Sequence, residues 1–216
     1  MIGDADLASV GALLAEPARA KVLLALGDGR ELAASVLAAE AGVAASTASH
    51  HLARLVDAGL VTVETRGRYR YFSLAGPQVG ELIEAVARVA PAQEVRSLRQ
   101  GTRAHGVRYA RSCYDHLAGR LGVAVADVLC DASFAITPEG VARLASIGID
   151  TSPGDTARPC RDWTEQRDHI AGPLGQALLN RLLELGWLTR DSRTRAVHVT
   201  GTGAAAFPSD LGVELP

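Results

Sequence analysis

One stretch of the sequence, residues 38–72, constrains the fold more than any other part of the chain. A helical pattern over residues 35–41 ends at Gly42, which can take the left-handed backbone that closes a helix. A second helix is predicted to begin at Ser46, with Ser46 or Ala45 near its N-cap. The apolar positions of this second helix, which recur at helical spacing, are Ala48, Leu52 and Leu55. Two helices joined by a short glycine turn predict a helix-turn-helix motif.

The opposite face of the second helix carries small and polar side chains that can approach another surface closely. Hydroxyl groups at a helix start can donate to phosphates, and arginine can pair with guanine in the major groove. We therefore predict DNA contacts from Ser46, Thr47, Ser49, His50 and Arg54. A β-hairpin with Gly67 at its tip is predicted to follow. Its arginines, which we expect to contact phosphates, are Arg66, Arg68 and Arg70.

The segment STASHHLARLVDAGLV, followed by the arginine-bearing hairpin and RYFSL, resembles the ArsR-type winged-helix repressors of bacteria. The resemblance covers the predicted N-terminal domain, residues 1–92. It implies a homodimeric transcriptional repressor that binds double-stranded operator DNA and leaves it when an effector arrives. It also assigns the predicted helix after Pro77 to dimerisation, which agrees with the apolar stripe Val79, Leu82, Ile83 and Val86.

The composition limits which binding partners and which cellular compartment are expected for this chain. The formal net charge of −2 argues against non-specific coating of nucleic acid, so DNA contacts need a local basic patch. The start of the chain lacks the basic segment of a secretory signal, and three cysteines favour a reducing cytoplasm over a disulfide framework. No apolar run approaches the length of about 20 residues that a membrane helix needs. The sequence therefore predicts a cytoplasmic protein without membrane contacts.

The rest of the chain, residues 93–216, is predicted to form a second domain. The segment LNRLLELGWL over residues 179–188 aligns without a gap with LARLVDAGLV over residues 52–61. This internal similarity predicts a second, degenerate winged-helix unit, which packs or senses because glycines and a proline replace the polar helix start. The expected fold class is mainly α with small β-hairpins, with a winged helix-turn-helix domain followed by a winged-helix-like helical domain.

The metal sites best known among ArsR-type repressors have no counterpart here. The helix before the turn, ELAASVLAAEAG, contains no cysteine, and the predicted dimerisation helix contains no histidine. A different set is found in the second half, where Cys113 and His116 are predicted to share one helix face and Cys160 precedes His169. Two thiolates with imidazoles suit a thiophilic or borderline ion of the zinc, copper(I) or mercury(II) class.

Three alternatives remain open for these residues. Cysteine is among the most buried residue types, so the set can be ordinary core, as we expect for Cys130. The C-terminal half can be a partner-binding module with no small ligand. Cys113, Asp115 and His116 also imitate a nucleophile with its base, but the sequence offers no oxyanion-hole or phosphate-loop motif. We therefore predict that the protein is not an enzyme.

Overall fold

The computed structural model describes residues 4–91, 94, 97–192 and 194–216, without the side chains of residues 99 and 100. Its contacts divide the chain into an N-terminal unit, Met1–Ile83, and a C-terminal unit, Glu84–Pro216. The predicted domain limit between residues 92 and 93 falls on residues outside the described ones, so it stays a prediction. Within the described part of the chain, no helix combines the length and apolar character that crossing a bilayer demands.

Short helices and two-stranded hairpins make up most of the fold, which confirms the predicted fold class. The helices are α1 (Leu7–Leu14), α2 (Pro17–Leu26), α3 (Ala34–Ala41), α4 (Ala45–Asp57), α5 (Pro77–Val89), α6 (Leu98–Tyr109), α7 (Gly119–Leu129), α8 (Pro138–Ser146), α9 (Gly172–Glu184) and α10 (Gly201–Ala206), with a π-helical turn at Phe207–Leu211. The strands are β1 (Leu32–Ala33), β2 (Val61–Arg66), β3 (Tyr69–Leu74), β4 (Arg111–Cys113), β5 (His116–Ala118), β6 (Arg158–Arg161), β7 (Asp168–Ala171), β8 (Leu188–Arg190) and β9 (Val197–Val199).

The N-terminal unit contains the predicted helix-turn-helix, formed by α3 and α4. Gly42 ends α3 with a φ of 74°, and its N–H donates to the carbonyl oxygen of Ala38. The N-cap of α4 is Ala44, without a side-chain hydrogen bond, so the helix begins one residue before the predicted Ser46, and the two predicted cap candidates, Ala45 and Ser46, are its first two residues. The extended backbone that a cap needs occurs at Ala44, which places Ser46 inside the first helical turn.

A three-stranded antiparallel sheet in the order β1-β3-β2 completes this unit. Strands β2 and β3 form the predicted wing, in which Arg66 pairs with Tyr69 and Gly67 has a φ of 61°. Leu52 and Leu55 on α4 are almost fully buried, as their helical spacing predicts. Their burial turns the polar side of α4 outward.

The C-terminal unit contains two copies of one motif, which our sequence analysis missed. Each copy has an antiparallel hairpin and then a helix, β4–β5–α7 in the first and β6–β7–α9 in the second. The sequences share R-x-C-x-D at residues 111–115 and 158–162, and H-x-A-G-x-L-G-x-A at residues 116–124 and 169–177. Each copy ends in a shorter helix, α8 or α10. Helix α9 is followed by the hairpin β8–β9, which is the helix-then-hairpin order that the alignment with the first winged helix predicts.

Two glycines show that the copies share their packing in detail. A Cβ atom on Gly140 would lie 2.2 Å from the carbonyl oxygen of Leu129. A Cβ atom on Gly203 would lie at the same distance from the carbonyl oxygen of Trp187. Backbone approaches this close exclude any side chain. In the first repeat the glycine of α8 therefore packs against the last residue of α7, and in the second repeat the glycine of α10 packs against the segment between α9 and β8.

Candidate DNA-binding surface and candidate metal centre

Most of the predicted DNA-contacting residues of α4 lie on its exposed side. The exposed residues are Ser46, Thr47, His50 and Arg54. Ser49 is half-buried, and its hydroxyl donates to the carbonyl oxygen of Ala45 at 2.9 Å. An acceptor lone pair remains on this hydroxyl, whereas its proton is already engaged within the helix. The helix start, with its unpaired N–H groups, is therefore accompanied by hydroxyl, imidazole and guanidinium groups.

The three wing arginines differ in the groups that their guanidinium groups contact. Arg66 lies 2.7 Å from Glu31 and 2.6 Å from Glu64, and these hydrogen bonds, the one to Glu64 most strongly, raise the pKa of its guanidinium. Arg68 stacks on the ring of Tyr69 and donates to its hydroxyl at 2.8 Å. Arg70 lies over the ring of Phe72. Among the described residues, neither Arg68 nor Arg70 pairs with a carboxylate. Their charges are more available to an anion than that of Arg66.

The predicted metal ligands lie on two hairpins and not on a helix. Cys113 is directly opposite His116 across the two-residue turn of β4–β5. Cys160 is directly opposite His169 across β6–β7. The prediction that Cys113 and His116 share a helix face was therefore wrong. The chain reverses at Tyr114, whose φ is 56°, and a direct cross-strand pair brings the two side chains together on one face of the hairpin.

The two hairpins bring the four side chains into one cluster, which we call the Cys/His cluster. Its members are Cys113, His116, Cys160 and His169, and their ligand atoms all lie within 4.8 Å of one another. Cys160 is half-buried and the other three are buried. The Nε2 atoms of the two histidines are 3.1 Å apart. Two nitrogens bound to one tetrahedral zinc ion would be separated by about 3.3 Å.

Each imidazole of the cluster has a carboxylate beside its Nδ1 atom. Nδ1 of His116 lies 2.9 Å from Asp115, and Nδ1 of His169 lies 3.4 Å from Asp162. Nδ1 of His116 hydrogen-bonds to Asp115 and so carries a proton, which leaves its Nε2 able to present a lone pair. Nδ1 of His169, by contrast, lies near Asp162 without a hydrogen bond. Two lone pairs 3.1 Å apart repel unless a cation or a proton lies between them. The pair of Asp115 and His116 matches the carboxylate–histidine pairs that orient histidine ligands at metal sites.

The thiols of the cluster also carry the charge that metal binding needs. The hydrogen bond from Cys113 is the largest of the effects that lower the pKa of Cys160, and both imidazoles add to it against the opposing effect of burial. The same hydrogen bond, together with burial, raises the pKa of Cys113. These opposite shifts favour the thiolate form at Cys160 and the thiol form at Cys113. Cys130, by contrast, is part of the core, where burial raises its pKa to about 11.

The two repeats support one another's ligands in a reciprocal way. A Cβ atom on Gly122, in α7, would lie 3.6 Å from Cβ of His169. A Cβ atom on Gly175, in α9, would lie 3.0 Å from Cβ of His116. Each helix thus packs, through a glycine, on the histidine of the other repeat. The cluster lies where the two repeats meet, and each repeat contributes one cysteine and one histidine.

Sequence reasoning found the four ligand candidates but missed the residues that support them. Asp162, which is fully buried, accepts from the N–H of Gly119 at 2.7 Å and lies 3.0 Å from Arg111. Hydrogen bonding to His169 and the charge of Arg111 lower the pKa of Asp162 despite its burial, which acts the other way. The repeated R-x-C-x-D pattern was the signal, because it places an arginine and an aspartate beside each cysteine.

Comparisons with known proteins agree with this architecture. The chain matches a helix-turn-helix domain family over residues 14–64. It is 39% identical over 223 aligned residues to the HTH-type transcriptional regulator YdfF of Bacillus subtilis, covering 97% of this chain and 99% of YdfF. It is 37% identical over 90 residues to the regulator CmtR of Mycobacterium bovis, covering 40% of this chain and 75% of CmtR. The winged helix-turn-helix DNA-binding domain Mb0332 of Mycobacterium bovis is 33% identical, covers 40% of this chain and 86% of its own, and has a TM-score of 0.35.

A helix-turn-helix with a wing and an exposed polar second helix defines a DNA-binding transcriptional regulator. The chain belongs to the HTH-type transcriptional regulators. The similarity to YdfF extends over both units, so the two-part organisation is common to the two proteins.

Proposed function

We propose that this regulator is a homodimeric repressor that binds operator DNA through α4 and the wing, and that a metal ion at the Cys/His cluster is its effector. The effector assignment rests on one observation. The ligand atoms of two cysteines and two histidines all lie within 4.8 Å of one another. Two thiolates and two imidazoles form a complete ligand set for a tetrahedral ion of the zinc class. A ligand set without an open position suits sensing or structure and not catalysis.

The exposed side of α4 and the free charges of the wing support the DNA-binding part of the proposal. Ser46 and Thr47 lie in the first turn of α4, where helix N–H groups favour a phosphate. His50 and Arg54 follow one and two turns further along and can reach base edges in the major groove. Arg68 and Arg70 can approach the phosphates that flank the groove.

Replacing Arg68 and replacing Arg66 are expected to weaken DNA binding to different extents, and this difference tests the role of the wing. Replacing Arg68 by alanine is expected to weaken DNA binding about 10-fold and to lower the slope of log affinity against log salt by about 0.9, because one phosphate contact is lost. Replacing Arg66 by alanine is expected to weaken binding by less than about 3-fold, because Glu31 and Glu64 already neutralise its charge. Fluorescence anisotropy on the duplex upstream of its own gene, at several salt concentrations, measures both variants.

Equal losses for the two variants would show that Arg66 leaves its carboxylates on DNA. No loss for either would remove the wing from the interface. The same titration at protein concentrations above the dissociation constant gives the number of chains per duplex, for which the proposal requires two.

Exposed apolar side chains support the homodimer. Helix α1 has no buried residue, and Leu7 on it is 78% exposed. On α5, the helix that the ArsR resemblance assigns to dimerisation, Val86 and Val89 are exposed. Apolar side chains left in water on two helices fit an interface that a second copy of the chain covers.

The Cys/His cluster fits the proposed effector site on chemical grounds. Cys113 and Cys160 supply the thiolates that zinc, copper(I) and mercury(II) prefer, and His116 and His169 supply nitrogen ligands through Nε2. The ion would bring positive charge to a buried centre and draw together the two repeats that hold its ligands. Binding also requires Cys113 to release its proton, because a thiolate and not a thiol is the ligand.

A further inference from the structure

A chain of buried charged groups leads from the Cys/His cluster to helix α5. We infer that Glu84 is a positioning residue that couples the occupancy of the cluster to α5, an inference that rests on the proposed metal-effector function. The chain runs from His169 through Asp162 and Arg111 to Glu84. All four residues belong to the C-terminal unit.

Successive groups of this chain lie at ion-pair distance from one another, without hydrogen-bond geometry at Nδ1 of His169, Nη2 of Arg111 or Oε2 of Glu84. Nδ1 of His169 lies 3.4 Å from Oδ2 of Asp162, and the same oxygen lies 3.0 Å from Nη2 of Arg111. That guanidinium nitrogen also lies 3.6 Å from Oε2 of Glu84. The other carboxylate oxygen of Glu84 accepts a hydrogen bond from Arg195. One nitrogen of Arg111 thus lies between the carboxylate beside a candidate metal ligand and the carboxylate that belongs to α5.

The burial of these groups makes the coupling strong. Arg111 and Asp162 are fully buried and Glu84 is 3% exposed, so water does not screen their charges. Arg111 is further fixed over the ring of Trp163, 5.1 Å from its centroid. Nη2 of Arg111 makes no hydrogen bond and lies between two buried carboxylates, so a shift of Asp162 changes the electrostatic balance at Glu84 without water to absorb it.

Helix α5 can respond as one element to a change at Glu84 because it is continuous over Pro77–Val89. Ile83 is the last residue of the N-terminal unit and Glu84 is the first residue of the C-terminal unit. Glu84 therefore lies within one continuous helix that begins at Pro77. When a metal fixes His169, Asp162 and Arg111 are fixed with it, and the position of Glu84 is selected through them.

Glu84→Gln tests this inference in the full-length protein. Zinc affinity is measured by competition with a chelating dye, and DNA affinity is measured with and without zinc on the upstream duplex. We expect zinc affinity within about 3-fold of the wild-type value, because Glu84 makes no hydrogen bond or ion pair with the four cluster residues and acts on Cys113 and Cys160 only through its charge. The change in DNA affinity caused by zinc is expected to fall from about 10-fold to less than about 2-fold. Glu81→Gln, on the exposed side of the same helix, is the matched control and should respond like the wild type.

Removing one charge of a buried network can unfold a protein, so a second variant is needed. Glu84→Gln combined with Arg195→Met removes the ion pair as a unit and leaves Arg111 with Asp162. It is expected to fold, to bind zinc and to lose the zinc response. A folded variant that binds zinc and responds like the wild type overturns the role of Glu84 alone. A wild-type protein that binds no zinc, or whose DNA affinity ignores it, overturns the proposed effector as well, so the two failures are distinguishable.

Discussion

Replacing Cys160 by serine is expected to reduce zinc in the purified protein from about one ion per chain to less than about 0.1, with a loss of affinity of at least about 100-fold. The reason is that Cys160 supplies the thiolate that the cluster favours, through its hydrogen bond with Cys113 and the nearby imidazoles. A serine hydroxyl cannot replace it, since its proton is not released at neutral pH. Elemental analysis after purification under reducing conditions gives the stoichiometry.

Cys130→Ala is the matched control for this experiment. Cys130 is a core residue of the same unit and lies outside the Cys/His cluster, so its replacement should leave one ion per chain. Zinc that persists at the wild-type level in Cys160→Ser would contradict the ligand assignment. Zinc absent from both variants, with circular dichroism unchanged, would point to loss through packing and not through a ligand.

Replacing Gly203 by alanine is expected to destabilise the C-terminal unit by about 3 kcal/mol or more. The added methyl group would lie 2.2 Å from the carbonyl oxygen of Trp187 and 2.9 Å from its carbon, so α10 must move away from the backbone it packs on. Urea unfolding followed by tryptophan fluorescence measures the loss, since both tryptophans, Trp163 and the 5% exposed Trp187, belong to the C-terminal unit.

Gly201→Ala provides the control on the same helix. An alanine Cβ there has no atom within 4 Å, so this variant is expected to be neutral or slightly more stable. Equal stability of the two variants would show that α10 does not pack through glycine. Because Gly140 makes the matching approach to Leu129 in the first repeat, Gly140→Ala should cost a comparable amount.

The helix-turn-helix could be predicted from the sequence because its signals are local. Gly42 ends one helix, apolar spacing defines the buried face of the next, and Gly67 marks the turn of the wing. The cap of α4 could not be placed to the residue, because Ala44 uses backbone geometry alone, and no residue type announces such a cap. The neutralisation of Arg66 could not be foreseen either, since Glu31 reaches it from outside the wing hairpin.

The four residues of the Cys/His cluster were predicted from the sequence, but the predicted geometry of Cys113 and His116 was wrong. Spacing of three residues suggested a helix face for Cys113 and His116, whereas a tight hairpin turn also places residues three apart side by side. The partnership with Cys160 and His169 depends on two hairpins that meet in the fold, which spacing within one segment does not reveal. The duplicated R-x-C-x-D pattern would have predicted that meeting, and with it the supporting roles of Arg111 and Asp162.

The measurement that tests the central claim most directly is the affinity of the full-length protein for its upstream duplex, metal-free and loaded with one equivalent of zinc. Cys160→Ser is measured in parallel, in the same buffer and at the same salt concentration. Zinc is expected to weaken DNA binding by the wild-type protein about 10-fold and to change that of Cys160→Ser by less than about 2-fold. Wild-type protein that binds the duplex equally tightly with and without zinc would show that zinc is not the effector.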